Sequence, residues 1–249
     1  MSWPTYLKQK NLSGVSNLAD LPPNADPLTA EKWKKLLSRV WLFNFISFID
    51  FVLVAGSMAM GNPKEDSDFD VIIGVRKGRI FTVRFFCYML FGIFGWRRKR
   101  SSGSRASKDR FCFSHFVTPE KYCLSGPYNE YWKKLYLSLV PVYGSADNIQ
   151  KFYDANAGWT CPVRNSLPIG SFGPRLRASA VSNGMKWVLS GKLGDVLEKL
   201  LKKIQIAKIE KSLIIEKQYK PRIIFNDTEL EFHPHTKRIE EYVGNSKIE

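Results

Sequence analysis

Residues 55–73 read AGSMAMGNPKEDSDFDVII. The stretch begins where FVLVA (51–55), a β-branched run, stops at Gly56 as a buried strand would. Four acidic residues, Glu65, Asp66, Asp68 and Asp70, then fall within six positions, and DFDVIIGV (68–75) reads as a second strand. Alternate side chains of a strand share a face, about 6.5–7 Å apart at the backbone. Asp68 and Asp70 therefore point together, with Phe69 and Val71 on the other side. Two adjacent ionised carboxylates repel, and a cation relieves that cost. Their hard oxygens suit Mg²⁺ or Mn²⁺, ions that also bind substrate phosphates. The upstream Gly56-Ser57 turn offers backbone N–H groups and a hydroxyl, the combination that cradles phosphate. The two pieces together make a metal–triphosphate site.

Working outward, a helix starts near Thr29, read as its N-cap, and KWKKLLSRVWLFNFI aligns Trp33, Leu36, Leu37, Val40 and Trp41 on one stripe. Residues 79–96 form an apolar helix, RRKRSSGSRASK (97–108) a basic Ser/Gly-rich loop, and RFCFSHFV (110–117) a third strand. The order is α-β-β-α-β.

These residues resemble the signature of the polymerase-β-like nucleotidyltransferase superfamily: a strand, Gly-Ser, a small-residue stretch with Gly, and Ser-Asp-x-Asp leading a hydrophobic strand. Gly56, Ser57, Gly61, Ser67, Asp68 and Asp70 match it position by position over roughly residues 28–118. The resemblance implies an α+β fold with a small mixed sheet flanked by helices. It implies an NTP substrate, Mg²⁺ or Mn²⁺ on Asp68 and Asp70, nucleotide contacts from Gly56, Ser57, Gly61 and Ser67, and transfer of a nucleoside monophosphate to an acceptor hydroxyl. That hydroxyl could belong to an RNA end, a protein side chain or a small molecule. The family also places a third carboxylate on a neighbouring strand, and Asp109 is the residue available for it. Parity runs against Asp109, since it alternates with Phe111 and Phe113, which read as core, while Arg110, Cys112 and Ser114 form the more polar face. A chain lacking the third carboxylate would be a non-catalytic nucleic-acid-binding protein on the same fold.

The rest of the chain sets context. Residues 1–27, with four prolines, read as an irregular extension, 28–125 as the nucleotidyltransferase-like core and 126–249 as a mainly helical region. In that last region YNEYWKKLYLSLV and SADNIQKFYDAN are helical by period, and a long helix runs from about Arg175 to Lys217 with a weak point at SGKLGD. RIIFNDTELEF reads as a hairpin turning at Asn226-Asp227, and a last short helix ends at Gly244. A net charge of +15 points to a polyanionic partner, RNA or another acidic macromolecule, with Arg97, Arg98, Lys99 and Arg100 as its contacts. The 44% apolar content excludes a disordered chain. Four scattered cysteines without Cys-x-x-Cys spacing exclude a zinc ribbon, read as buried free thiols and, with no apolar leader, place the protein in the cytoplasm. Phe85–Trp96 is twelve residues long, short of the ~20 that span a bilayer, so it reads as a buried helix, with an interfacial membrane contact as the lesser reading. His233 and His235 lack a partner at ligand spacing and read as a polar turn.

Overall fold

The fold is α+β, seen in a computed structural model that describes residues 26–99, 107–125, 130–160, 171–172, 180–213 and 222–233. The first elements are α1 (Pro27–Val40), a 3-10 turn (Trp41–Phe45), β1 (Ile49–Val54), the short α2 (Gly56–Met60), β2 (Phe69–Val75), α3 (Ile80–Ile93) and β3 (Phe111–Val117). They follow the expected α-β-β-α-β order. The start of α1 differs from expectation. Asp26 is the N-cap, its carboxylate accepting from the Thr29 N–H at 3.0 Å, with Pro27 in the first turn.

After residue 125 the chain supplies α4 (Glu130–Leu137), β4 (Val140–Ser145), α5 (Ala146–Thr160), β5 (Ser171–Phe172), α6 (Ala180–Leu189), α7 (Lys192–Leu213), β6 (Arg222–Phe225) and β7 (Glu229–His233). Among the described residues the strands form one seven-stranded sheet in the order β5-β4-β1-β2-β3-β7-β6. Only β2 and β3 pair in parallel; the other neighbours are antiparallel. Strands from both sides of residue 125 thus share a sheet. Between the two helices expected at YNEYWKKLYLSLV and SADNIQKFYDAN, the segment carrying Pro141 and Gly144 is strand β4. Gly144 is required there: at φ 110° a Cβ would lie 2.3 Å from the Asp50 carbonyl of β1.

Helices cover both faces. On one, Trp33, Leu36 and Val40 of α1 and Phe81, Cys87 and Phe91 of α3 pack on Phe69, Val71, Ile73, Phe111 and Phe113. On the other, Leu135 and Tyr136 of α4 and Ile149 and Phe152 of α5 pack on Phe51, Leu53, Ile72 and Val117. The expected long C-terminal helix breaks at Ser190–Gly191, within SGKLGD, into α6 and α7. α7 is docked rather than appended. The Glu198 carboxylate accepts from the N–H groups of Phe81 and Thr82, 2.8 Å each, and so satisfies the open first turn of α3. Lys199, Lys203, Lys208 and Lys211 lie on its solvent side, while Lys202 meets Asp227 at 2.6 Å. Of the cysteines, Cys87 is buried as expected, but Cys123 is exposed and Cys112 half-buried. No helix among the described residues is long and apolar enough to cross a membrane. Residues 1–25, Arg100, Cys161, His235 and the last short helix lie outside the described residues, while Asp26 and Pro27 of the expected extension cap and open α1.

Candidate metal and phosphate cleft

Strand parity gives the site its shape. Odd residues of β2 enter the α1/α3 core, and Asp70 with Ile72 faces the opposite side. Asp68 stands immediately before the strand. Its carboxylate, that of Asp70 and the Cys112 thiol bring ligand atoms within 4.8 Å of one another. Cys112 is there because β3 runs parallel to β2 with Asp70 opposite Cys112.

Gly56 explains how Asp70 is held. It has φ 65°, a left-handed conformation that favours glycine, and an added Cβ would stand 2.4 Å from Asp70 Oδ2. The Ala55 N–H also donates to the Asp70 carbonyl at 2.9 Å, locking the turn onto the strand. Ser57 Oγ lies 3.2 Å from Ser67 Oγ, and the Lys64 N–H donates to Ser67 Oγ at 2.8 Å. The two serines thus brace the acidic loop against α2. Gly61 ends α2 in the left-handed region at φ 72°.

Burial pushes the Asp68 carboxyl up to about 6, with the neighbouring Asp70 charge adding to it and Arg98 opposing it. The Arg98 guanidinium meets Asp68 Oδ2 at 2.8 Å and approaches Cys112 Sγ at 3.8 Å. It is delivered by a short backbone connection, with the Phe111 N–H donating to the Trp96 carbonyl at 2.7 Å and the Arg98 N–H to the Phe111 carbonyl at 2.9 Å. Arg97 turns away and lies over the Tyr88 ring, 4.6 Å from its centroid. Lys99 is exposed. Burial, then the two aspartates, raise the Cys112 thiol well above its usual range, so it is a neutral thiol.

Asp109 does not join this group. Its Oδ1 accepts from Lys32 Nζ at 2.8 Å and its Oδ2 from Lys35 Nζ at 2.9 Å, while Arg39 donates to its carbonyl. Burial works against the Asp109 charge, but the Lys32 and Lys35 hydrogen bonds outweigh it and hold its pKa below the usual carboxylate range. With φ 56° it forms the turn into β3, and it ties three residues of α1 to that strand. The expected third carboxylate is therefore engaged in an architectural ion pair. Cys112 sits across from Asp70 instead.

The donor set fits one hard divalent ion on Asp68 and Asp70, held in a cradle that only glycine at position 56 permits. A neutral thiol is a poor third ligand for Mg²⁺. A second grouping escaped the sequence reading: His115, Glu229 and Glu231 lie together on β3 and β7. The signal available was ELE alternating in the second hairpin strand, beside a histidine within an apolar strand. The chain matches no family profile, no curated protein and no solved structure.

Proposed function

We propose that this protein binds nucleic acid through a metal–phosphate grip on a nucleotidyltransferase-type fold and does not transfer nucleotides. One observation carries this reading: Asp109 is committed to Lys32 and Lys35, and the place opposite Asp70 holds the thiol of Cys112. Two-metal transfer needs a ligand for the ion that activates the acceptor oxygen. Asp68 and Asp70 by themselves serve the ion that accompanies the phosphates.

When bound, Mg²⁺ or Mn²⁺ supplies the positive charge that phosphate oxygens need beside these carboxylates. The chain's own residues do the rest. Gly56 keeps Asp70 in place, Ser57 and Ser67 hold the acidic loop to the turn, and Arg98 offers a planar guanidinium suited to bidentate phosphate contact. The +15 charge supplies sequence-independent attraction to a polyanion.

The test uses the purified full chain with each labelled NTP, Mg²⁺ and a single-stranded RNA. Mg²⁺-dependent retention of RNA without transfer of label is the expected result. Label transferred to RNA, to the chain or to a co-purified protein, and lost in Asp70→Asn, would restore the transferase reading.

A further inference from the structure

His115, Glu229 and Glu231 form a grouping remote in sequence from the acidic loop, with exposures of 2%, 0% and 0%. Their shared position follows from an irregularity in β3. Against β2, Asp70 pairs with Cys112 but Ile72 pairs with His115, so two steps on β2 span three on β3. This bulge changes the parity of β3. Phe111 and Phe113 point into the α1/α3 core, whereas His115 and Val117 turn to the opposite face. There β7 runs antiparallel, with Glu231 opposite His115 and Glu229 opposite Val117. The imidazole and two carboxylates thus meet on one sheet face, ligand atoms within 4.8 Å of one another.

Burying two carboxylates two residues apart on the same strand face is costly in any protein. His115 Nε2 contacts Glu229 Oε1 at 3.2 Å. Glu229 Oε2 has no hydrogen-bond partner among the described residues, although the side chain is wholly buried. A wholly buried carboxylate oxygen without a hydrogen-bond donor is stabilised by a cation set against it. One nitrogen and two carboxylate donors match Zn²⁺ and its first-row neighbours; the imidazole disfavours Mg²⁺.

We propose that His115, Glu229 and Glu231 bind a first-row divalent ion, Zn²⁺ by preference, as a structural site that fastens the β6–β7 hairpin to β3. The site is separate from the Asp68–Asp70 cleft and stands whether or not that cleft grips phosphate.

The experiment isolates it from the cleft. The full chain carrying Asp68→Asn and Asp70→Asn is produced in Zn²⁺-supplemented medium, desalted, and its metal content measured by plasma mass spectrometry. Near-stoichiometric Zn²⁺ is expected. Adding Glu229→Gln should lower Zn²⁺ affinity by more than the ~10–100-fold that loss of a mere supporting hydrogen bond costs, with Glu231→Gln as the second variant should the first not fold. Metal-free protein, or Zn²⁺ content indifferent to both changes, overturns the proposal in favour of a buried imidazole–carboxylate pair. If neither variant folds, Co²⁺ in the parent protein decides. Paramagnetically shifted signals from one histidine support the site, and unshifted histidine signals overturn it.

Discussion

Replacing Asp109 by Ala separates an architectural carboxylate from a catalytic one. Lys32 is 1% exposed, and its ammonium has Asp109 Oδ1 at 2.8 Å and the Ser67 carbonyl at 2.9 Å. Removing Asp109 leaves that buried charge without its counter-ion. Breaking a buried pair from one side costs about 3–5 kcal/mol. For a chain of this size each kcal/mol shifts Tm by roughly 2–4 °C, so Asp109→Ala should melt about 10 °C lower. The double variant Lys32→Met, Asp109→Ala removes both charges together and should recover most of the loss, because Lys32 no longer leaves an uncompensated ion. Differential scanning calorimetry on the four proteins of the cycle gives the coupling directly. The lowered Asp109 pKa adds a signed check. Its stabilisation is present above the ordinary carboxylate range and is lost as pH falls below it, so Asp109→Ala should flatten the acid limb of the stability profile. An unchanged Tm in Asp109→Ala, with Mg²⁺-dependent phosphate binding abolished, would refute the reasoning and return Asp109 to the cleft.

Three further outcomes are expected. Gly56→Ala sets a methyl 2.4 Å from Asp70 Oδ2 at φ 65°, so it should lose about 1–2 kcal/mol in backbone strain and most of the Mg²⁺ affinity seen by calorimetric titration. In EDTA the raised Asp68 pKa, about 6, means the folded state holds its proton longer than the unfolded chain; the Asp68 contribution to stability should fall by ~3 kcal/mol as pH rises from about 4 through 6. Urea titrations should show that fall shrinking with Mg²⁺ and vanishing in Asp68→Asn. Arg98→Ala should tighten Mg²⁺ binding in the absence of RNA yet reduce the salt slope of RNA binding by roughly 0.7, the value of one single-strand phosphate contact. An unaltered slope would leave Arg98 only as the partner of Asp68.

Much of the cleft was legible because it follows from local rules. Two aspartates at alternate positions of a strand must share a face, and a strand stopping at Gly-Ser must turn. Parity even placed Asp109 beside Phe111 and Phe113 rather than beside the pair. What parity could not reveal was where Asp109 goes, since its lysines stand 77 and 74 residues away on α1. β4 was misread because Pro141 and Gly144 look like breakers, whereas Gly144 lets β1 approach closely. His115 was hidden by the bulge: strict alternation from Phe111 would send it into the aromatic core. Such insertions leave no trace in hydrophobic period, and neither does the pairing of β3 with a hairpin more than a hundred residues later.

The contact between Arg98 and Asp68 has a consequence for the order of events in the cleft. The guanidinium sets its charge against Asp68 Oδ2, so the two carboxylates present less negative charge to an approaching phosphate than the pair alone would. A divalent ion that takes Asp68 Oδ2 would compete with Arg98 for that oxygen. The displaced side chain is then free at the rim, and the local charge has become more positive by the charge of the ion. On the proposed reading, metal and polyanion would be linked, each raising the other's affinity by the same factor. Bound RNA should raise the affinity for metal by the factor by which bound metal raises the affinity for RNA, a reciprocity built from a single rotatable side chain.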